Sequence, residues 1–469
     1  MAALLLPLLW LNHSTSHDWG GDFAMYLMQA RNLVEGLPQT QHGYIYNPDF
    51  ARNGPAVYPV GYPILLSPIY ALWGNNMEAF STFQSILAIL FGFTFFYFLK
   101  RHFSWIGSLV LVFVVAYHPW FLYFKRELMS DIPFAMLVLW LLMAVRSKQP
   151  PWIVALIMIS MILMRGIGWF SIPALLLAEG TQFVYNWTKK GPLWNALKIC
   201  GATAISVIIL NRLVFDIPLT TQSYADQLLP ADILENIVGN FVYFKDVLTD
   251  HLSLGLTKSE TFNSTIVLIY IALILVGSII SFRQNSIYTW ALVVYLAIIL
   301  IYPYRFSGFR FILPIHGIMM LLAGIGFLKI IPKRIAKYWI LLLAVIWYMR
   351  NNVEWWQSIA ENQAIIQIGP QQLESEEFIQ FIKNEPGEIQ PIIFIKPRVI
   401  NLYTNRSSVS NEPMGNPSEI TDLILQHEVK GLVLCKDLPH ASLESYIRNN
   451  QNELELKFQN NRFQYFVTK

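Results

Sequence analysis

The sequence predicts an α-helical polytopic membrane protein of about eleven spans that ends in a small α/β domain. Two observations carry this prediction. Of the 469 residues, 55% are hydrophobic and only 13% are charged, whereas a soluble domain averages about 25% charged residues. Charge also rises along the chain, because 25 of the last 119 residues are charged, against 38 of the first 350. We therefore predict a transmembrane domain at 1–350 and a soluble domain at 351–469.

Ten uncharged runs are predicted to form the spans, since a helix of about 17–25 apolar residues crosses a bilayer. Five runs meet this length alone: Ala79–Leu99, Phe103–Phe124, Thr261–Phe282, Ser286–Tyr304 and Phe311–Leu328. Five shorter runs are predicted to span with charged residues at their ends: Ile132–Val145, Trp152–Met164, Gly166–Ala178, Leu193–Leu210 and Tyr338–Met349. The run Ala2–Leu11 is too short to cross as it stands. The stretch Trp152–Ala178 is predicted to be a hairpin around Arg165 rather than one long helix.

Basic residues fall in every second loop between these runs, which predicts that those loops are cytoplasmic. They are Lys100-Arg101, Arg146-Ser-Lys148, Lys189-Lys190, Arg283 and Lys329 through Lys337. The first outer loop 12–62, the second large loop 212–262 and everything after residue 350 are then extracytoplasmic. The net charge of +3 gives no case for nucleic-acid binding. The two cysteines argue against a disulfide framework and against a cysteine-rich zinc site.

The soluble tail is predicted to be α/β, because short apolar strand-like runs alternate with polar helical stretches. The strand-like runs are Ile392–Ile395, Gly431–Leu434 and Arg462–Val467, and the helical stretches include Leu373–Ile382 and His440–Arg448. The tail has no phosphate loop, no metal-spaced His/Cys cluster and no nucleophile elbow. We expect a binding or shielding domain, and the tail sequence names no ligand.

The first outer loop carries the strongest functional signal. A helix is predicted from Asp22 to Glu35, because an acidic residue opens it, Gly36 ends it and a proline follows. On this helix Asp22 and Tyr26 share one face. The run Ile64–Trp73 that follows the loop is too short to span and is expected to dip into the outer leaflet.

The first outer loop contains the motif Gly21-Asp-x-x-x-Tyr26-x-x-x-Ala30-Arg-x-Leu33-x-x-Gly36, which is followed by Tyr58-Pro-x-Gly-Tyr-Pro-x-Leu-Leu66. Further motifs come later in the chain, in the order Leu128-Met-Ser-Asp131-Ile-Pro-Phe, Met164-Arg165-Gly, Arg310-Phe-Ile-Leu-Pro314 and Leu402-Tyr-Thr-Asn-Arg406. These motifs and their order resemble those of the GT-C membrane glycosyltransferases, and most of all the bacterial clan of protein O-mannosyltransferases and aminoarabinose transferases. The resemblance covers nearly the whole chain. Phe23 stands where many relatives carry a Glu, so a site with two loop carboxylates requires Asp18 to take the place of that Glu.

The resemblance implies a multi-pass enzyme of the bacterial inner membrane whose active site and tail face the outside. Such enzymes move a sugar from a polyprenyl-phosphate donor to a glycolipid, glycan or protein acceptor, by direct displacement with inversion. The acceptor hydroxyl needs a carboxylate as general base, and the departing lipid phosphate needs arginine or lysine. The sequence identifies no certain cofactor and leaves a divalent metal open.

The predicted site follows from these needs, with Asp22 as the base and Asp131 as a second catalytic carboxylate. Substrate-binding residues are expected among the other polar groups of the outer face: Asp18, Tyr26, Tyr58, Lys125, Arg126, Glu127, Arg165, Arg305 and Arg310. Arg165, Arg305 and Arg310 are predicted to converge on one phosphate pocket with Lys125 or Arg126 at its rim. Asp22 is expected to face a cavity beneath Asp131.

Simpler interpretations of these residues stay open. Asp22, Asp18 and Asp131 could each cap a helix or a turn. Lys125 and Arg126 could anchor lipid headgroups, with Glu127 as the solvated partner of one of them. His42, His118 and His316 are isolated in the sequence and are expected to be structural. At the level of function, the alternatives are a transporter or flippase of a lipid-linked sugar and a non-catalytic scaffold.

Overall fold

The computed structural model describes residues 1–185, 191–217, 233–253, 260–303, 305, 308–330, 368–385 and 390–469. The chain divides into two compact units. The first contains residues 1–13, 81–185, 191–211 and the described residues between 233 and 330. The second contains residues 14–80, 212–217 and the described residues from 368 onwards. The first outer loop, which the sequence analysis assigned to the 1–350 domain, thus belongs to the same unit as the tail.

Helices dominate the chain up to residue 330. The α-helices there are Ala2–Leu5, Gly21–Glu35, Gly61–Trp73, Met77–Lys100, Trp105–Ala116, Pro119–Arg126, Asp131–Arg146, Pro151–Met164, Ser171–Tyr185, Gly191–Ile209, Ile233–Ser253, Glu260–Ile301 and Leu313–Ile330. Shorter helical turns are Leu6–Leu9, Pro48–Asn53, Gly166–Phe170, Leu210–Val214 and Gly308–Phe311. The predicted helix of the first outer loop is confirmed at Gly21–Glu35, and it ends at Gly36 in the left-handed conformation, as a C-terminal cap requires.

Among the described residues, five helices are long and apolar enough to cross a membrane, and a bent helix pair would make a sixth. The five are Met77–Lys100, Gly166–Tyr185, Gly191–Val214, Thr261–Ile301 and Leu313–Ile330. The protein is therefore an integral membrane protein, as predicted. The predicted span Tyr338–Met349, the loop Lys189-Lys190 and parts of the loop 212–262 lie outside the described residues, and the count of eleven spans stays a prediction.

The continuous run Phe103–Phe124 is in fact two helices, Trp105–Ala116 and Pro119–Arg126, that meet at 60°. His118 lies at the corner with an extended backbone and caps the second helix by accepting a hydrogen bond from the Trp120 amide. Pro119 is the first residue of that helix, where its missing N–H costs nothing. The predicted span Phe103–Phe124 is thus bent at this proline and its cap, which a count of apolar residues does not detect.

Two other interruptions bear on the predicted spans. The chain breaks at Arg165, whose extended backbone separates Pro151–Met164 from the turn Gly166–Phe170, so the alternative of one long helix over 152–178 is excluded. The runs Thr261–Phe282 and Ser286–Tyr304 were predicted as separate spans. They correspond to the two parts of Glu260–Ile301, which are two helices joined across a kink at the non-helical Asn285.

Two glycines bring the helices Glu260–Ile301 and Leu313–Ile330 into backbone contact. A Cβ atom at Gly277 would clash with the carbonyl oxygen of Leu322, and one at Gly326 would clash with that of Leu273. Small residues of this kind allow membrane helices to pack closely without relying on the hydrophobic effect. This contact anchors the helix that follows Arg310.

The second unit is built around a six-stranded sheet in the order β1-β3-β2-β4-β6-β5. The strands are β1 (Tyr44–Ile45), β2 (Ile392–Ile393), β3 (Ser408–Val409), β4 (Gly431–Cys435), β5 (Leu454–Gln459) and β6 (Phe463–Thr468). The first four in spatial order pair in parallel, and β4, β6 and β5 pair antiparallel. The tail helices are Leu373–Asn384, Pro397–Thr404, Ser418–His427 and Ala441–Asn449, with a turn at Gln451–Glu453.

The predicted α/β tail is confirmed, with its strands and helices within a few residues of their expected bounds. Its core is apolar and includes Ile393, Val409 and Leu432 from three neighbouring strands. The unexpected element is β1, which comes from the first outer loop and pairs with β3 in the register Tyr44 to Ser408. The loop therefore contributes the edge strand of the tail's own sheet.

Candidate functional site

In the first unit, two arginines converge on one buried carboxylate. Asp131 is the first residue of the helix Asp131–Arg146 and is fully buried. Arg310 Nε donates to both carboxylate oxygens, at 3.0 Å and 3.3 Å, and the Arg165 guanidinium forms an ion pair with the same group. Two cations facing one anion leave a net positive charge, so the cluster is suited to attract a further anion.

Different local features place the two arginines. Arg165 occupies the break between Met164 and Gly166, where its extended backbone turns the side chain out of the helix axis. Its guanidinium also lies 5.9 Å from the ring centre of Phe134. Arg310 sits in the short turn Gly308–Phe311 just before a membrane helix. Both guanidinium groups are mostly enclosed, which strengthens their interaction with charged partners.

Three histidines surround Phe309, the residue before Arg310. The Phe309 ring stacks on His251 at 4.0 Å and lies 5.2 Å from His316 and 6.3 Å from His118, between ring centres. His251 and His316 share a hydrogen bond between their Nε2 atoms at 3.1 Å. His118 and His316 are isolated in the sequence, but the fold brings both to His251. Each ring uses a nitrogen in a hydrogen bond. The three histidines therefore pack in a fixed arrangement around Phe309 and support the turn that carries Arg310.

The helix Pro119–Arg126 places two more of the predicted cations. The Lys125 ammonium is buried and donates to Ser85 Oγ at 2.8 Å. Arg126 pairs with Glu127 at 3.2 Å and lies over the Tyr123 ring. The prediction of Glu127 as a partner of a neighbouring cation is confirmed, but its side chain is only 3% exposed rather than solvated.

Arg305 lies against a different helix. Its Nη2 donates to the carbonyl of Glu235, and a Cβ at Gly239 would clash with the guanidinium. These residues line an open cavity of about 560 Å³ together with Leu234 and Val238. Arg165 and Arg310 thus meet at Asp131, whereas Arg305 contacts the helix Ile233–Ser253.

In the second unit, Asp22 is held by two side chains from outside its own helix. The Tyr58 hydroxyl donates to Asp22 Oδ1 at 2.5 Å, and Arg398 Nη1 lies 3.8 Å from the same oxygen. Asp22 is the second residue of the helix, and the cap position belongs to Gly20. The side chain keeps 22% of its surface exposed, so its carboxylate is both oriented and accessible.

The neighbours of Asp22 include the other predicted loop residues. The Tyr26 ring packs against Tyr58 and Tyr62, with centres 5.1 Å and 4.8 Å away. Asp18 Oδ1 accepts a hydrogen bond from the Gly20 amide at 2.7 Å, which closes the turn before the helix. This contact supports the simpler interpretation of Asp18 as a turn residue.

Arg398 and Lys396 are the site residues that the sequence analysis missed. Both lie at the start of the tail helix Pro397–Thr404, and 340 residues separate Arg398 from Tyr58. Burial lowers the pKa of the Lys396 ammonium, while Asp18 and Asp22 act in the opposite direction. An isolated basic pair next to an apolar strand was the only signal in the sequence, and nothing in it indicated the partner.

His42 remains a structural residue, as expected. Its Nδ1 accepts the Tyr44 amide at the start of β1. Burial, together with the charge of Arg398, lowers the pKa of His42 to about 4. The ring is therefore neutral at physiological pH and supports the edge strand. The expectation that Asp22 faces a cavity beneath Asp131 stays a prediction.

The fold is that of GT-C membrane glycosyltransferases. The crystal structure of the Archaeoglobus fulgidus oligosaccharyltransferase with Zn and sulfate superposes with a TM-score of 0.60 at 14% identity, over 92% of this chain and 67% of that one. ArnT from Cupriavidus metallidurans bound to undecaprenyl phosphate gives 0.56 at 12% identity, over 99% and 97%. AglB from Archaeoglobus fulgidus, in complex with an inhibitory peptide and a dolichol-phosphate, gives 0.52 at 13%. The sequence matches no family model and no curated protein.

Proposed function

We propose that this protein is a glycosyltransferase that moves a sugar from a polyprenyl-phosphate donor to an acceptor on the outer face of a bacterial inner membrane. One observation carries the proposal: in a chain with the GT-C fold, the loop carboxylate Asp22 is accessible and held by Tyr58 and Arg398. Two structural neighbours were determined with lipid phosphates, undecaprenyl phosphate and dolichol-phosphate. These neighbours support a lipid-phosphate donor here.

Asp22 is the general base in this proposal. Its carboxylate takes the proton of the acceptor hydroxyl as the acceptor oxygen forms a bond to the anomeric carbon of the sugar. The bond from that carbon to the phosphate oxygen breaks, and polyprenyl phosphate leaves with the electron pair. The attack comes from the side opposite the phosphate and inverts the anomeric centre. A positioned base typically contributes about 10²–10⁴-fold to such a step.

Arg165 and Arg310 are the proposed ligands of the donor phosphate. Removing a lone charge from water costs several kcal/mol, roughly, unless it is paired, and two guanidinium groups on one carboxylate offer that pairing. Because Asp131 is fully buried between them, we assign it a positioning role rather than contact with the sugar. Lys125 is a further buried cation of the same unit.

The acceptor is a glycolipid, a glycan or a protein, since the base requires only an ionisable O–H. The neighbouring oligosaccharyltransferase was determined with an acceptor peptide tethered by a disulfide bond, which supports testing peptides among the acceptors. The bilayer supplies the lipid-linked donor laterally.

The test is transfer by purified protein from a labelled polyprenyl-phosphate sugar to a crude acceptor fraction. Asp22→Asn keeps the oxygen that accepts the Tyr58 hydroxyl but removes the base, so donor binding is expected to persist while transfer falls by about 10²-fold or more. Asp18→Asn is the matched control in the same loop and should cost much less. Asp131→Asn should lower the transfer rate to an intermediate extent, because it removes the charge that positions Arg165 and Arg310.

An Asp22→Asn enzyme with the wild-type transfer rate would contradict the mechanism. If the wild type moved the lipid-linked sugar between leaflets of a vesicle without transferring it, the transporter function would replace the proposal.

A further inference from the structure

Arg398 is the most buried large charged side chain of the second unit, with 1% of its surface exposed. It is the second residue of the tail helix, directly after Pro397, and it follows β2 of the tail sheet. The fold of the tail therefore sets the backbone position of Arg398. A buried guanidinium is retained only where hydrogen bonds satisfy it.

The contacts of Arg398 fix its guanidinium plane. Nη1 donates to the Tyr58 hydroxyl at 2.6 Å, and Nη2 donates to the Pro55 carbonyl at 2.9 Å. The rings of Tyr44 and Tyr58 lie 4.5 Å and 4.8 Å from the guanidinium carbon. Gly54 packs against the guanidinium with a φ of +97°, and a Cβ atom at this position would come within 2.8 Å of Nη2. A lysine could not reproduce this planar, two-pronged arrangement.

The hydrogen bonds then run in one direction from the tail to the loop helix. Since Arg398 can only donate, the Tyr58 oxygen accepts from it, and the single hydroxyl hydrogen of Tyr58 points to Asp22 Oδ1. This chain fixes the rotation of the Asp22 carboxylate. The direct distance of 3.8 Å between Arg398 Nη1 and Asp22 Oδ1 adds an attraction between opposite charges.

We propose that Arg398 is a positioning residue through which the tail orients the catalytic carboxylate Asp22 by way of Tyr58. The inference rests on the transferase function proposed above and gives the tail a part in the reaction. The site on the loop is then incomplete without the tail, because the loop alone supplies Asp22 and Tyr58 but not the group that orders them.

Among the described residues of this unit, the charged and titratable groups that contact Asp22 or act on the same neighbours include Tyr58, Lys396, Arg398 and Asp18. Loss of the Arg398 charge favours the protonated form of the Asp22 carboxyl, since an opposite charge within about 4–6 Å stabilises the ionised form by one to three pKa units. The acid limb of the pH profile for transfer should therefore move to higher pH when that charge is removed.

The experiment compares Arg398→Met, Arg398→Lys and Tyr58→Phe in the purified protein, with transfer measured from about pH 3 to about pH 9, so that the series extends below the ordinary carboxyl pKa of about 3.9. For Arg398→Met we expect kcat to fall by about 10-fold or more with the acid limb about one pH unit higher, and KM for the donor to change little. Arg398→Lys keeps the charge, so its acid limb should stay while kcat falls. Tyr58→Phe should resemble Arg398→Met in kcat.

Arg406→Met is the matched control. Arg406 is also buried in this unit and pairs with a carboxylate, Glu385, at 2.7 Å. Its loss should lower stability and leave the acid limb in place. An unchanged kcat and pH profile in both Arg398 variants would overturn the inference. It would also be overturned if Arg406→Met moved the acid limb of the pH profile as far as Arg398→Met does. A wild type without transfer activity would refute the proposed function itself.

Discussion

Asp131 and Asp22 are both carboxylates in the first turn of a helix, and their surroundings give them different chemistry. The Asp131 side chain is 1% exposed and lies between Arg165 and Arg310. The Asp22 side chain is 22% exposed and shares one oxygen with Tyr58 and Arg398. A carboxylate enclosed by two cations has no access to a substrate proton, whereas Asp22 combines a fixed orientation with access. This difference supports the proposal that Asp22 is the base and that the Asp131 cluster recognises an anion.

Replacement of Arg310 tests the phosphate assignment. Arg310→Ala removes one of two cations from the proposed site and should weaken the binding of polyprenyl phosphate by about tenfold or more, since a hydrogen bond between charged groups contributes about 1.5–3 kcal/mol. Arg283→Ala is the control, because Arg283 lies in a different helix, beside the Tyr185 ring. Binding is measured by titration of the purified variants with labelled lipid phosphate.

Arg310→Lys separates binding from folding, because it keeps a cation opposite the buried Asp131. This variant should bind better than Arg310→Ala and worse than the wild type. Equal losses of affinity in Arg283→Ala and Arg310→Ala would count against the site.

The sequence indicated Asp22, Tyr58 and Arg165 because each stands in a motif or interrupts an apolar run. It gave no indication of Arg398, because the pairing with Tyr58 depends on how two segments 340 residues apart come together in one sheet. The histidine cluster was missed for the same reason. A local sequence pattern can single out a residue as a candidate for the site, but only the tertiary fold determines which of these residues contact one another.

At the scale of elements, apolar length predicted most helices to within a few residues, as for Met77–Lys100 and Leu313–Ile330. Length could not predict the bend at His118, because it depends on single residues inside an otherwise uniform run. The kink at Asn285, by contrast, falls in the short gap between two predicted spans. The edge strand Tyr44–Ile45 has only two residues. Two residues are too few to show the alternation of apolar and polar side chains that marks a strand in a sequence. The strand is recognised only by its pairing with β3.

The close contact at Gly277 predicts that adding one methyl group there lowers the stability of the protein. Gly277→Ala would push a Cβ into the Leu322 carbonyl of the facing helix, and forcing extra volume into a packed interface typically costs about 1–3 kcal/mol. The control is Gly201→Ala, since a Cβ there meets nothing within 4 Å. That substitution should be neutral or stabilising, because alanine favours the helix by about 0.5–1 kcal/mol. Thermal unfolding of the detergent-purified variants provides the measurement, and equal Tm values for both would contradict the close packing.

At the scale of the whole molecule, β1 and β3 constrain the topology independently of any charge rule. Paired strands lie about 4.7–4.9 Å apart, whereas the hydrocarbon core of a bilayer is about 30 Å thick. Residues 44–45 and 408–409 pair directly, so they lie on the same side of the membrane. The chain must therefore cross the bilayer an even number of times between them, which the ten predicted runs satisfy.

Cysteine labelling in intact cells tests both this parity and the side. The native Cys200 and Cys435 are buried and are replaced by alanine, and single cysteines are introduced by Gln41→Cys in the loop and Glu455→Cys in the tail, both at exposed positions. A membrane-impermeant maleimide is expected to label both, because the basic loops predict that this side is outside.

The control is Lys100→Cys. Lys100 is exposed and ends the helix Met77–Lys100, at a loop that is predicted to be cytoplasmic. A cysteine there should react only after the cells are opened. Labelling of Lys100→Cys alone would reverse the orientation and keep the parity. Labelling of only one of the first two positions would contradict the sheet itself, since no membrane can separate strands that share hydrogen bonds.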